Sequence, residues 1–321
     1  MNNIGLNLLK TLACMTAVSF FTLYQSYDRY NYNYSLALNI LSFISTIATP
    51  LYFLLSGYLD AGPKHSPNWQ LEKIRRILLI FLFWFSFFWF AGVQNKGYLI
   101  QPWFVISLIL IYVSQPQIDR LLLFPGKMAA IIFVLLLAAF LYDILAVLYP
   151  NTRAFSLLPQ YRIWTWVLYY LSGRLMALPS VVQMLQSVRV VKLSLLLLPA
   201  VYLFTWLYER YYFIARFITT GNDFVLTGSQ VYFLVILMAI SVNAITVPAH
   251  WKKVPALFAT LGKTMTGVYI LHYLVFNILA WAIAIRSLAD KIMVIALTVV
   301  VSMMISLLLL QVPGVKKLIS L

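Results

Sequence analysis

The sequence predicts an all-α fold, namely a polytopic membrane helical bundle of about ten transmembrane helices. Hydrophobic residues make up 63% of the 321 positions and charged residues only 10%, whereas a soluble domain carries about 25% charged residues. Apolar runs long enough to cross roughly 30 Å of hydrocarbon recur along the chain. No linker rich in Gly, Ser or Pro separates these runs, so residues 1–321 are expected to form a single domain.

The apolar runs define the predicted spans in chain order. They cover residues 4–24, 37–59, 77–93, 99–114, 128–148, 163–179, 192–208, 226–247, 262–284 and 292–311. The first run lacks a basic preceding region and a small-residue cleavage site, which favours a retained helix over a signal peptide. Pro102 is expected to mark a helix start and Pro199 a kink. Cys14 is the only cysteine, so no intramolecular disulfide, cysteine-type metal site or other metal is expected.

The distribution of basic residues predicts the orientation. With Lys10 and Arg174 set aside as intramembrane residues, the segments on the side of the N-terminus carry 13 Lys and Arg and the opposite loops carry eight. The positive-inside rule therefore places both termini in the cytoplasm. The net charge of +15 is explained by contact between basic loops and anionic lipid, and no nucleic-acid partner is expected.

Three charged residues lie well inside predicted spans, where such residues are costly and mark functional candidates. Lys10 is the first, although its long side chain could also reach the membrane interface. Asp143 and Arg174 are the others. Each of these two either ends near an interface or pairs with the other across the bundle.

The stretch TPLYFLLSGYLDAG, residues 49–62, combines helix-packing residues with a polar end. Ser56 and Gly57 would allow a close approach between helices. Arg75 and Arg76 follow just before the third predicted span, and guanidinium groups suit bidentate capture of phosphate. The alternative is that the two arginines only anchor the topology.

Several of these motifs resemble a known family. PLYFLLSGY at residues 50–58, followed by Arg75 and Arg76, is similar to the second- and third-helix signature of the membrane acyltransferase-3 family. Three further stretches follow in family order: QPWFVISLILIY from Gln101, LYYLSGRLM from Leu168 and LGKTMTGVYILHYLV from Leu261. The resemblance covers about residues 5–284. SGR in the sixth span and the overall length make the enterobacterial common antigen O-acetyltransferase branch the nearest match.

The resemblance implies an activity and a location. It implies an O-acyltransferase of the bacterial inner membrane that moves an acetyl or other acyl group to a hydroxyl of a cell-envelope glycan or a lipid-linked precursor. The donor would be cytoplasmic acyl-CoA, acting as a co-substrate, and no bound cofactor is expected. The residues that the resemblance assigns to acyl-donor binding are Ser56, Tyr58, Arg75, Arg76 and Trp103.

The same resemblance exposes changes in the first helix. The family aspartate, arginine and catalytic histidine fall on Asn7, Lys10 and Phe21, or on Phe20 with the register shifted by one. Lysine keeps the positive charge for stabilising the reacting centre, but phenylalanine cannot accept or donate a proton. His272 occupies a position where the family also has a histidine, so it is expected to keep its ordinary role. No replacement base is evident.

Two other functions stay open. The changes in the first helix favour a catalytically degenerate member that acts as a binding or partner subunit in envelope polysaccharide biogenesis. A transporter or flippase is the second alternative, although it would ordinarily show inverted repeats and paired broken helices, and neither is evident here.

The charge distribution generates a test of the topology. A reporter enzyme that is active only in the cytoplasm should be active when fused after Leu321, and one that is active only in the periplasm should be silent. The reverse pattern would contradict a cytoplasmic C-terminus.

Overall fold

The computed structural model describes residues 3–23, 43–62, 68–92, 98–148, 162–208, 229–248, 250–251, 253–285 and 287–321. Every regular element in these ranges is a helix, which confirms the all-α fold for the described part of the chain. The α-helices are α1 (Asn3–Leu23), α2 (Ala48–Leu59), α3 (Trp69–Phe90), α4 (Pro102–Val113), α5 (Gln115–Leu122), α6 (Pro125–Leu148), α7 (Ile163–Met176), α8 (Pro179–Leu185), α9 (Val188–Tyr208), α10 (Ser229–Asn243), α11 (Lys253–Gly262), α12 (Met265–Ala282), α13 (Leu288–Gln311) and α14 (Pro313–Ile319). Short 3-10 turns at Ser45–Ile47 and Tyr98–Ile100 precede α2 and α4.

Within the described ranges, four helices are long and apolar enough to cross a membrane. They are Pro125–Leu145 in α6, Val188–Tyr208 in α9, Met265–Ala282 in α12 and Ala289–Gln311 in α13. A fifth span results if α4 and α5, which are bent by 56° at their junction, are counted as one. The chain is therefore a helical membrane protein, and the total of about ten spans stays a prediction.

Each predicted span contains a described helix, but α3 begins earlier than the apolar pattern indicates. It starts at Trp69 rather than near residue 77. The segment between these points is rich in Gln, Leu, Glu, Lys and Arg, which are all good helix formers. Lys73, Arg75 and Arg76 consequently lie on the first turns of the helix rather than in a loop.

Four short helices lie in segments expected to be loops, and they are α5, α8, α11 and α14. Three of them, α5, α8 and α14, have proline in their first turn, where its fixed φ favours helix initiation. Pro102 begins α4 as expected. Pro199 lies inside α9.

Helices α2 and α7 are in direct main-chain contact because each presents a glycine to the other. A Cβ atom added at Gly57 would overlap the carbonyl oxygen of Tyr170, and one added at Gly173 would overlap the carbonyl oxygen of Leu54. Residues without a Cβ let two helices approach this closely. The expectation that the Ser56-Gly57 pair permits a close approach is confirmed, and its partner is the Ser172-Gly173 pair of α7.

Helix α1 packs against α2, α11 and α12. Gly262, the last residue of α11, lies against Asn7 and Lys10 of α1. The Tyr269 hydroxyl of α12 donates a hydrogen bond of 2.7 Å to the carbonyl oxygen of Ala48 in α2. These contacts tie α1, α2, α11 and α12 into one group of helices around the contact of α2 with α7.

The contact of α2 with α7 predicts that Gly57→Ala lowers the free energy of unfolding by about 1–3 kcal/mol, since the added methyl group must push two backbones apart. Gly126→Ala is the matched control, because a Cβ at that helical position meets no atom within 4 Å. Thermal unfolding of both variants in one detergent tests the expectation. An unchanged midpoint for Gly57→Ala would contradict it.

Candidate functional site

A cavity of about 360 Å³ lies at one end of the bundle. Its lining comes from the first half of α1, the end of α2, the first turns of α3, the end of α4 and the start of α12. The polar side chains that line the cavity are Lys10, Tyr52, Ser56, Asp60, Lys73, Tyr112 and Thr266. Because charged and polar side chains from four helices and the end of α2 meet in it, this cavity is the candidate functional site.

Asp60 is the acidic side chain of this lining, which also includes Leu321. Asp60 is the residue that follows α2, and it is only 7% exposed. Its Oδ2 accepts a hydrogen bond of 2.7 Å from the Tyr112 hydroxyl, and the Tyr170 hydroxyl lies 3.1 Å away. Its Oδ1 lies 3.5 Å from Nζ of Lys73. The two carboxylate oxygens are therefore in different environments.

The Lys73 ammonium is held between this carboxylate and two aromatic rings. Nζ lies 5.6 Å from the ring centroid of Trp69 and 6.0 Å from that of Tyr112, within the range of a cation–π interaction. Trp69 and Lys73 are one helical turn apart at the start of α3. The early start of α3 thus brings a positive charge to the cavity.

Arg174, at the end of α7, connects the cavity wall to α5. Its guanidinium donates one hydrogen bond to the main-chain carbonyl of Asp60 and another to the Asp119 carboxylate. Gln115 and Asp119, which are four residues apart on α5, are also hydrogen-bonded, at 3.4 Å. The Tyr170 hydroxyl lies 3.0 Å from Oε1 of Gln115 and donates to this atom or to Asp60, one at a time.

Two residues predicted from the first two spans reach the cavity. Lys10 and Ser56 both line it. Asn7, one turn before Lys10, does not belong to the lining but lies with Lys10 against Gly262. The glycine of the LGK motif therefore packs against the first-helix positions where the family resemblance placed two site residues.

The predicted donor residues Tyr58, Arg75 and Arg76 lie outside the cavity lining. Tyr58 is half-buried and packs against the apolar core. Arg75 is exposed and Arg76 is half-buried on α3. The basic residue of α3 that reaches the cavity is Lys73, which was expected to lie in a loop and was not a predicted site residue.

Trp103 is buried in an aromatic layer that begins at the cavity wall. Tyr52 lines the cavity, and its ring centroid is 5.1 Å from that of Phe104. Phe104 lies 4.9 Å from Phe53, and Phe53 stacks on Trp166 at 5.3 Å. Trp166 in turn lies 5.4 Å from Trp103. Trp103 also lies 5.5 Å from Phe104, so a single intervening ring separates it from Tyr52 at the cavity wall.

Phe20 of the first helix and His272 of the ninth span lie away from the cavity lining. Phe20 is buried in the core, and the side chain of Phe21 lies outside the described part of the structure. His272 is fully buried, and its Nδ1 lies 2.7 Å from the Val268 carbonyl oxygen one turn earlier in α12. His272 is therefore packed within the bundle rather than presented to the cavity.

Asp143 and Arg174 do not pair with each other, and that alternative was wrong. Asp143 of α6 forms a buried ion pair of 3.2 Å with Arg162, and Arg174 pairs with Asp119. Arg162 precedes α7 and Arg174 is near its end, so the two pairs are about 18 Å apart along the helix. Each arginine pairs with the aspartate that lies near its own end of α7.

Five of the seven polar lining residues were not predicted from the sequence, and three of them, Asp60, Lys73 and Tyr112, interact directly with one another. Asp60 follows directly after SGYL and is one of only eight acidic residues in the chain. This scarcity was the available signal. Lys73 and Tyr112 carried none, because their proximity to Asp60 depends on how α3 and α4 pack.

The chemistry of the lining is that of a small site for an anionic or polar ligand. Lys10 and Lys73 supply positive charge, while Asp60 is an acceptor when ionised. The tyrosine, serine and threonine hydroxyls add neutral donors and acceptors. The described residues contain no group of three or more His, Cys, Asp or Glu side chains suited to a metal ion.

These features define a helical membrane protein with a charged cavity at one end of its bundle. Residues 3–311 match the acyltransferase domain family Acyl_transf_3, and the chain belongs to this family. No curated protein and no solved structure matches the chain. The resemblance drawn from the sequence is therefore confirmed at the level of the family, which indicates a membrane acyltransferase.

The Arg174 contacts predict a coupled loss of stability. Arg174→Met is expected to cost about 1–3 kcal/mol, because it leaves the buried Asp60 carbonyl without its charged donor and removes the ion pair with the partly exposed Asp119 carboxylate. In Arg174→Met/Asp119→Leu no charge of the pair is left behind, so the double variant should lose less than the two single variants combined. A double-mutant cycle on unfolding free energies measures the coupling, and strictly additive losses would contradict it.

Proposed function

We propose that this protein is a membrane O-acyltransferase of the bacterial inner membrane. It moves an acetyl or other acyl group from cytoplasmic acyl-CoA to a hydroxyl of a cell-envelope glycan or its lipid-linked precursor. One observation carries the proposal: in a chain of the acyltransferase domain family, Lys10 and Lys73 line the same cavity. Two ammonium groups in one small cavity favour an anionic ligand such as the phosphorylated donor.

The dimensions of the cavity support a division of the donor into two parts. A volume of about 360 Å³ is at the small end of the range for ligand sites, about 300–1,000 Å³. It suits the acyl group and its pantetheine arm rather than the whole of acyl-CoA. The nucleotide end would then lie outside, along the start of α3, with its nearest phosphate beside Lys73, whose side chain is 20% exposed at the edge of the cavity. Arg76 is on the same helix face as Lys73, three residues on, and Arg75 is exposed beside it.

The acyl end of the donor would lie against Tyr52 and Ser56. Both side chains line the cavity, and the aromatic layer that includes Trp103 forms a rigid apolar support behind Tyr52. Lys10 is on the α1 side of the same cavity, where its ammonium would stabilise negative charge on the thioester oxygen. In this arrangement Trp103 supports the acyl path without forming its wall.

The proposed membrane arrangement has ten spans with both termini in the cytoplasm. The cavity lies at the end of the bundle where α1 starts, so this orientation makes it accessible to cytoplasmic acyl-CoA. The Ser172-Gly173-Arg174 sequence supports assignment to the enterobacterial common antigen O-acetyltransferase branch. Its glycine contacts α2, and its arginine binds the main chain of Asp60.

A non-catalytic partner subunit in envelope polysaccharide biogenesis is the second candidate. The observation that favours it is the phenylalanine at the position of the family histidine, together with Asn7 and Lys10 in place of the family aspartate and arginine. Such a subunit would keep the cavity and its affinity for acyl-CoA, but it would not release CoA from acetyl-CoA.

The donor proposal predicts that Lys73→Gln weakens acetyl-CoA binding about tenfold, since it removes one charged contact to phosphate. Arg75→Ala/Arg76→Ala is expected to weaken binding by a similar factor through the outer phosphates. Arg120→Gln is the matched control, because Arg120 is an exposed basic residue outside the cavity lining.

Calorimetric titration of acetyl-CoA into the protein in lipid nanodiscs provides the affinities, and release of free CoA thiol separates the two candidate functions. Wild-type affinity in Lys73→Gln and in the double variant would contradict the donor site. Binding without thiol release by the wild type would favour the partner subunit.

A further inference from the structure

The proposed function requires a proton acceptor, and the first helix does not supply one at the position expected for the family. Phenylalanine stands there, and a hydrocarbon ring cannot take the proton of an attacking hydroxyl. His272 is fully buried and absent from the cavity lining. A base for this chain must therefore come from another residue that reaches the cavity.

We infer that Asp60 is the general base for acyl transfer in this protein, an assignment that rests on the proposed function. Among the described residues, Asp60 supplies the carboxylate of the cavity lining. The other ionisable side chains of that lining are the ammonium groups of Lys10 and Lys73 and the phenols of Tyr52 and Tyr112. Lysine and tyrosine are ordinarily protonated at neutral pH and are donors in that state, whereas aspartate is ordinarily an acceptor.

The hydrogen bonds of Asp60 leave one oxygen for this role. Oδ2 is oriented by the Tyr112 hydroxyl at 2.7 Å and the Tyr170 hydroxyl at 3.1 Å. Oδ1 has the Lys73 ammonium at 3.5 Å, a separation longer than an ordinary hydrogen bond. The two phenols fix the plane of the carboxylate, so Oδ1 is held in a defined position beside the cationic part of the cavity.

The main chain of Asp60 is fixed independently of its side chain. Arg174 binds the Asp60 carbonyl oxygen, and the glycine contact between α2 and α7 lies one turn earlier in α2. Both interactions persist when the carboxylate is changed. Asparagine is nearly isosteric and still offers an oxygen to the two phenols, so Asp60→Asn removes the base without removing the structural contacts.

The proposed acyl transfer needs no reactant other than acyl-CoA and the acceptor hydroxyl. The acceptor hydroxyl oxygen forms a bond to the acyl carbonyl carbon as its proton passes to Asp60, and Lys10 stabilises the negative charge that develops on the carbonyl oxygen. The carbon–sulfur bond then breaks, and the sulfur leaves with its electron pair. Asp60 returns the proton to sulfur, so the products are an ester and the free thiol of CoA.

The test uses acetyl-CoA as the probe, with water as the acceptor, and the full chain in lipid nanodiscs. Single-turnover release of CoA thiol gives the rate, and calorimetric titration gives the donor affinity separately. Asp60→Asn is expected to lower the rate by at least about 100-fold, with acetyl-CoA affinity unchanged or slightly tighter. Asp60→Glu should retain more of the rate than Asp60→Asn, because it keeps a carboxylate.

Two further variants guard against a structural explanation. Asp143→Asn is the matched control, since Asp143 is also a buried, ion-paired aspartate but is not part of the cavity lining. Its rate is expected to stay within about threefold of the wild type, a change of less than 1 kcal/mol by the usual conversion. Tyr112→Phe removes only the hydroxyl that orients Oδ2, and it is expected to lower the rate about tenfold with unchanged affinity for the donor. If Asp60→Asn does not fold, the rates of Asp60→Glu and Tyr112→Phe test the assignment of Asp60. Wild-type rates in both variants would contradict it.

The possible results separate the base from the proposed function. Thiol release at the wild-type rate by Asp60→Asn would overturn the base while leaving the acyltransferase function intact. A variant Asp60→Asn that loses affinity for acetyl-CoA but keeps the wild-type rate would also overturn the base, because that result would mean that Asp60 only positions Lys73. A wild-type protein that neither binds nor cleaves acetyl-CoA would overturn the proposed function, and the assignment of Asp60 with it.

Discussion

The contact between the backbones of α2 and α7 is the constraint on which the site depends. Gly57 and Gly173 leave no room for a Cβ between the helices, so the two helices are locked in both spacing and register. The next turn of α2 then delivers Asp60 to the end of α7, where Arg174 binds its carbonyl oxygen. Without this close approach the Asp60 carboxylate could not reach the phenols of both α4 and α7. The positions of the polar residues in the cavity thus depend on the glycines at the contact of α2 with α7.

Much of the fold could be predicted from the sequence, because a membrane imposes a simple requirement of length and apolarity on each span. A helix was found within every predicted span, and the start of α4 at Pro102 followed from the geometry of proline. The polar beginning of α3 and the short helices between spans were not predicted. Their helical conformation comes from intrinsic propensity and proline placement. A search for apolar runs detects neither of these two signals.

Less of the site could be predicted, for a physical reason. Lys10 and Ser56 were found because each carries a local signal, a charge within an apolar run or a serine beside a helix-packing glycine. Asp60, Lys73 and Tyr112 belong to three different helical segments, and only packing brings them together. The wrong pairing of Asp143 with Arg174 has the same origin. Their true partners, Arg162 and Asp119, lie outside the predicted spans. Charged residues are common in such segments and are therefore not recognised there as functional candidates.

The bend of 56° between α4 and α5 has a consequence for how the chain can vary in length. Tyr112 before the bend and Gln115 after it both contact the network around Tyr170, with Ser114 as the single residue between the two helices. One residue inserted or deleted here would rotate α5 by about 100° relative to α4 and turn Gln115 and Asp119 away from α7. Ordinary connections between spans tolerate such changes. This junction does not, so insertions and deletions should be excluded from residues 112–119 wherever the network of Asp60 and Arg174 is retained.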